Sequence, residues 1–368
     1  MEELRELTEE LVSVPSHEDE TEVGNLIETW LRDETGSEVE RDEVGNVVAR
    51  KEGEEEEADG GNTETALVCH HDVVPPDSSQ VDDGEYVVRE EGGRLYGRGT
   101  ADMKGAVAAA LLGFRDSEPE ETFTFASFVG EETGGEGARH ALERGFEPDR
   151  AVVTEGSTGY SKEGDSVTDV GVAHRGRREL ELTVGGVAEH ASEAGYETNA
   201  IDRASRAVEK LRGLTDEPPK REVHGNEIKG SAVPTYAHAG DSDATNVTPE
   251  RCVVTVDERT VPGEELSYET VEKVPGTEVE TVQRVPAMVC DDRGFADGVL
   301  EVAGSHQEGK PEAVVKPHAT DAGWLSEAGV DCVVVGPAEP GEAHTADESV
   351  SLDALERCYR IYRDLPSV

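Results

Sequence analysis

Residues 65–74 read Thr65-Ala66-Leu67-Val68-Cys69-His70-His71-Asp72-Val73-Val74. An apolar run opens the stretch and a polar cluster closes it. That is how a buried strand reads when its carboxyl end opens onto a site. His70 and Asp72 are two positions apart, so on a strand their side chains leave from the same side. A carboxylate placed there accepts the His ring N–H and turns the other ring nitrogen toward a metal. His71 points the other way and reads as structural.

Moving outward, the same design recurs. Residues 122–129 form an apolar strand that ends at Gly130-Glu131-Glu132-Thr133-Gly134-Gly135. Residues 151–154 are a short strand ending at Glu155-Gly156, and 332–336 are the last apolar strand, with His344 in the loop beyond. Helical patterns alternate with these strands. They cover 2–14, 21–35 (Val23, Leu26, Ile27, Trp30 and Leu31 on one face) and the Ala-rich 106–114. Strands alternating with helices predict a doubly wound α/β sheet with its site past the strand carboxyl ends. Near His174 the pattern changes. Residues 179–184 and 252–257 alternate like half-exposed strands, 278–285 is a weaker strand, and 200–214 is an amphipathic helix. We read 175–285 as a smaller inserted α+β domain, and 1–174 with 286–368 as the discontinuous first domain. The acidic stretch 52–62 reads as an exposed loop.

Composition narrows the function. The chain has 368 residues, enough for about two domains. No run approaches the ~20 apolar residues of a membrane span, and the acidic opening segment has no signal-peptide pattern. Cytoplasmic placement is expected. Five cysteines (69, 252, 290, 332, 358) without a Cys-x-x-Cys pair predict free thiols. A formal net charge of −49 argues against nucleic acid and anionic membranes as partners. Such self-repulsion is screened at molar salt, where the Debye length is about 3 Å, so a salty cytoplasm is expected.

Three further features carry chemistry. The glycines of Gly97-Arg98-Gly99-Thr100-Ala101-Asp102-Met103-Lys104-Gly105 allow a tight turn that presents Asp102, as a metal-bridging carboxylate or as a helix cap. Glu131 and Glu132 diverge as neighbours, so one can bind metal while the other reaches a water proton. Glu155 and His344 complete five candidate ligands: His70, Asp102, Glu132, Glu155 and His344. Two imidazoles and three carboxylates suit two zinc ions sharing one bridging carboxylate, with cobalt or manganese as substitutes. The other histidines (17, 140, 174, 224, 238, 306 and 318) read as structural.

The order of these segments, together with Thr154-Glu155-Gly156 and Ala343-His344-Thr345-Ala346-Asp347-Glu348, resembles the dinuclear zinc peptidase and deacylase family. That family contains acetylornithine deacetylase, succinyl-diaminopimelate desuccinylase, aminoacylase and glutamate carboxypeptidase. The resemblance implies a mixed-sheet catalytic domain with an inserted dimerisation (lid) domain, two zinc ions per subunit and a homodimer. It implies that His70 and Glu155 hold one metal, Glu132 and His344 the other, and that Asp102 bridges them. Asp72 orients His70, and Glu131 is the base for the attacking water. His190, in Gly186-Val187-Ala188-Glu189-His190, would polarise the oxyanion in the other subunit's site. Asn246 and Arg259 match positions that bind the substrate's α-carboxylate, and Thr320 matches a pocket-lining position. Cys69, Gly156 and Ala319 depart from the family pattern without removing a ligand. The implied reaction is hydrolysis of an N-acyl amino acid. A carboxypeptidase or dipeptidase is the alternative, and an inactive ligand- or metal-binding homologue the second.

Overall fold

The computed structural model describes residues 1–53, 63–161, 167–240 and 245–368. Most of the acidic loop expected at 52–62 lies outside the described residues. Two compact units emerge, one formed by Met1–Ala173, Met288–Lys316 and Thr320–Val368, the other by His174–Ala287 with Pro317–Ala319.

In the first unit the strand Thr122–Phe128 is buried at all seven positions, as a strand covered on both faces must be. It lies within a mixed sheet ordered Glu38–Arg41, Val47–Lys51, Thr122–Phe128, Glu64–His70, Arg150–Val153, Asp331–Val334, Val170–His174, Met288–Val289, and Ala313–Lys316 pairs with Val170–His174. The four strands from Thr122–Phe128 to Asp331–Val334 run parallel. Antiparallel pairs flank them on both sides.

Side-chain alternation sends Ala126 and Phe128 to one face and Phe123 and Phe125 to the other. On the first face Ala66, Val68, Val153, Cys332 and Val334 join Ala138 and Ala141 of helix Glu136–Glu143 and Leu325 of helix Ala322–Glu327. On the second, Phe114 of helix Gly105–Asp116 meets Phe123 and Phe125 at ring distances of 5.8 and 6.1 Å. Each fully buried Phe contributes about 1.5–3 kcal/mol. Helix Gly105–Asp116 packs closely on helix Leu352–Asp364. At Gly113 a Cβ would stand 2.8 Å from the Tyr362 Cβ, so only glycine permits that approach.

One boundary differs from the sequence reading. The strand expected over 65–74 ends at His70. Beyond it the Val73 N–H donates to the Ser16 carbonyl (3.3 Å), and Pro75 and Pro76 have no N–H for a ladder. His71 and Asp72 therefore lie just past the sheet edge.

The second unit carries an antiparallel sheet ordered Ser231–Ala239, Arg251–Thr260, Gly176–Gly185, Thr277–Val285. Strands Gly176–Gly185 and Arg251–Thr260 alternate buried and half-buried positions. Leu180, Leu182, Val184, Val254 and Val256 pack on Ala204, Ala207 and Leu211 of helix Ala200–Leu214. Asn199 caps that helix by accepting from the Ile201 N–H at 2.9 Å. Strand Ser231–Ala239 ends the sheet, with Val233 and Tyr236 exposed.

Candidate metal centre

Parallel register brings the strand ends side by side: His70 faces Phe128, and Val153 is paired with both Val68 and Val334. The residues that follow each end therefore converge. His70 Nε2 lies 3.1 Å from Asp102 Oδ1 and 3.3 Å from Glu155 Oε1. His344 Nε2 lies 3.2 Å from Asp102 Oδ2 and 2.9 Å from Glu132 Oε1. Asp102 thus presents one oxygen to each imidazole. Ligand atoms of His70, Asp102 and Glu132 lie within 4.8 Å of one another, as do those of His70, Glu131 and Glu155.

Asp72 organises this cluster from beneath. Its Oδ1 lies 3.3 Å from His70 Nδ1, and its two carboxylate oxygens accept the backbone N–H groups of Glu131 (3.1 Å) and Glu132 (3.0 Å). One carboxylate therefore orients the first imidazole and fixes the Glu131-Glu132 turn. From that turn the side chains diverge. Glu132 goes to His344, and Glu131 to the His70 and Glu155 side. His71 turns away into the interior, with its Nδ1 2.8 Å from Ser127 Oγ.

Asp102 is not a helix cap. The helix begins at Gly105 with Lys104 before it, and the Asp102 side chain is engaged by the two imidazoles. The turn that presents it rests on Glu348, a residue the sequence reading did not single out. The buried Glu348 carboxylate pairs with Arg98 and accepts the N–H groups of Gly99 (2.9 Å), Ala101 (3.0 Å) and Asp102 (3.2 Å). Gly99 is left-handed (φ 87°), and a Cβ there would meet Val73 Cγ1 at 2.8 Å. The available signal was Arg98 between two glycines: a cation in a tight buried turn needs a carboxylate partner.

The electrostatics test whether cations fit. Burial pushes the Glu131 carboxyl well above its ordinary range, and Asp321, Glu155 and Glu132 push it the same way. Burial also raises Glu132, with Asp102 adding to the effect. Burial works against charge on His70, yet hydrogen bonds to Asp102, Asp72 and Glu155 hold its pKa well above the ordinary value. Hydrogen bonds to Asp102 and Glu132 bring His344 up to about 10. Asp102 is pushed up by burial, but His344 and His70 keep it well below the usual carboxylate range. Glu131, Glu132 and both imidazoles shift toward holding protons, while Asp102 stays charged between the two rings. The pocket carries more negative charge than its own side chains neutralise, and the oxygen and imidazole donors suit divalent ions such as zinc.

The other sequence candidates are Thr320, His190, Asn246 and Arg259. Thr320 is buried at the head of helix Ala322–Glu327, where its Oγ1 accepts from the Ala322 N–H at 3.2 Å. In the second unit His190 is exposed, its Nδ1 2.7 Å from Ser192 Oγ and its Nε2 3.5 Å from Asn246 Nδ2. Arg259 is held by Asp257 through bonds of 2.7 and 3.2 Å. Arg175, which the sequence reading passed over, has its pKa lowered by burial and by the neighbouring Arg259 charge.

A mixed α/β sheet with two histidines and five carboxylates gathered at and beside its parallel strand ends is the arrangement of a metallohydrolase. The model of peptidase family M20/M25/M40 matches residues 66–367, and the chain belongs to that family. An acetylornithine deacetylase from Myxococcus xanthus is 29% identical over 348 residues, covering 85% of this chain and 81% of that protein. Among solved structures, the aminopeptidase PepT from Bacillus cereus is similar with a TM-score of 0.77 at 20% identity, covering 99% of this chain and 97% of that one. A dinuclear metal binding peptidase from Bacillus subtilis has a TM-score of 0.70 at 17% identity, covering 99% and 96%.

Proposed function

We propose that this chain hydrolyses the amide bond of an N-acyl amino acid at a centre of two zinc ions. His70 and Glu155 would hold one ion, Glu132 and His344 the other, and Asp102 would bridge them. One observation carries the reading: the two Asp102 oxygens face the two imidazoles, while Glu131 stands within 4.8 Å of His70 and Glu155. Bound ions supply Lewis acidity and lower the pKa of water.

The chain's own residues do the rest. Asp72 fixes the His70 ring and the 131–132 turn. Glu131 would take a proton from the attacking water and return it to the leaving amine. His190 would donate to the developing oxyanion, Arg259 and Asn246 would hold the α-carboxylate, and Thr320 would line the pocket. Arg175 beside Arg259 would add a second positive charge. The exposed edge strand Ser231–Ala239, with Val233 and Tyr236, supports pairing with a second copy. The cysteines among the described residues are free and buried, which suits a reducing cytoplasm. The net charge of −49 suits molar salt.

The acetylornithine deacetylase relative favours deacylation, whereas carboxypeptidase and dipeptidase neighbours in fold keep a carboxypeptidase or dipeptidase as the second reading. A panel of N-acetylornithine, N-succinyl-diaminopimelate and dipeptides, run in molar KCl with zinc, separates them. Turnover of an acyl amino acid supports the first reading. Turnover of dipeptides alone moves the protein to the second, and none at all removes both.

A further inference from the structure

Lys316 ends the strand Ala313–Lys316 and is only 3% exposed. A buried ammonium costs several kcal/mol unless a counter-ion offsets it. Among the described residues, its attractions to carboxylates act through space rather than through a hydrogen bond: first Glu155, then Asp102 and Glu131. Its stem runs along Gly171, where a Cβ would sit 3.4 Å from Lys316 Cδ. Its Nζ lies 5.9 Å from the centre of the Tyr160 ring. Tyr160 is half-buried, and the charges of Glu155 and then Asp102 act on it. Two proton donors thus stand on the Glu155 side of the centre, and neither is used in the mechanism above.

Packing does not explain this arrangement. A methionine of similar length would fill the same space without the desolvation cost. Glu155, Asp102 and Glu131, the carboxylates whose charge Lys316 feels, all have roles in the proposed centre. Lys316 is then a charge whose neighbouring carboxylates are engaged elsewhere, with the ring of a tyrosine, itself a donor, 5.9 Å from its Nζ. Two such donors suit a carboxylate, which accepts on both oxygens.

We propose that Lys316 and Tyr160 bind a second carboxylate of the substrate beside the metal centre, so that the enzyme favours acyl groups that end in a carboxylate over uncharged ones. This rests on the hydrolase reading, in which Arg259 is already assigned to the α-carboxylate.

The test compares wild type, Lys316→Met, Lys316→Arg and Tyr160→Phe. Kinetics are measured on the N-succinyl and N-acetyl forms of one amino acid, and calorimetry measures binding of succinate and acetate to zinc-loaded protein. Melting temperatures identify variants that do not fold. A hydrogen bond to a charged group contributes about 1.5–3 kcal/mol, equivalent to about 10- to 150-fold in affinity. Lys316→Met should raise KM for the succinyl substrate by that factor and leave the acetyl substrate nearly unchanged. Lys316→Arg should keep most of the preference, and Tyr160→Phe should lose a smaller part of it. Equal losses on both substrates, or wild type binding succinate no tighter than acetate, would overturn the proposal while leaving the hydrolase standing. If neither substrate is turned over, the hydrolase reading falls, and the succinate-to-acetate binding ratio in wild type and Lys316→Met alone decides the role of Lys316.

Discussion

In the first unit His70 and Asp72 are almost inaccessible, and nearly every charged group around them has a partner at hydrogen-bond distance. In the second, His190 and Asn246 lie exposed on loops, and the charges on Arg177, Asp257 and Arg259 form a ladder across a half-buried sheet face. The first arrangement is a preorganised site: burial strengthens each interaction and makes each unpaired group costly. The second is a set of exposed and half-buried groups that water reaches, where similar pairs contribute less. A substitution of like size should therefore act in different ways in the two units.

The largest expected effect is on Glu348, which has no contact with substrate in this account. Glu348→Ala leaves Arg98 buried and unpaired and frees three N–H groups, which should cost about 3–5 kcal/mol of stability. A denaturation midpoint close to that of wild type would show that the 99–102 turn stands without it.

The next contrast sets Asp72 against His190. Asp72→Ala should weaken metal binding by about 10- to 100-fold, as removal of a carboxylate behind a ligating imidazole does. His190→Ala should leave metal content unchanged and lower kcat by about 10²–10³. Titration with zinc in the presence of a competing chelator, alongside kinetics, separates them. Equal zinc affinity in the Asp72 variant would break the distinction between the units.

The smallest effect concerns pH. Burial pushes Asp257 upward, but bonds from Arg177 and Arg259 hold its pKa below the ordinary 3.8. A carboxylate with a depressed folded pKa adds stability that is present above its unfolded pKa and is lost as pH falls through the folded one. Asp257→Asn should therefore reduce stability at neutral pH and converge on wild type below about pH 4. Parallel pH curves for the two proteins would contradict the pairing.

The contrast between units also explains what the sequence made legible. His70, Glu131, Glu132 and Glu155 each follow an apolar run that must be a buried strand, so local pattern alone placed them at strand ends. Their convergence then followed from parallel pairing. Glu348 was harder because its partners Arg98 and Asp102 lie far away in the chain, and no local period marks that pairing. Strand Ser231–Ala239 went unread because it contains Pro234 and alternates poorly, being an exposed edge. For His190, Asn246 and Arg259 only the family resemblance spoke, since exposed or half-buried polar groups leave no hydrophobic pattern to read.

The most direct test of the central claim measures metal content and turnover together. Wild type, Glu131→Gln and His344→Ala are loaded with zinc in molar KCl, their bound metal is counted, and hydrolysis of the substrate found in the panel is followed. The account predicts that Glu131→Gln keeps two zinc ions per chain and loses about 10²–10⁴ in kcat, while His344→Ala loses one ion. A Glu131→Gln protein that turns over like wild type, or that loses its metal together with its activity, would contradict the assignment of Glu131 as the base beside the metal centre.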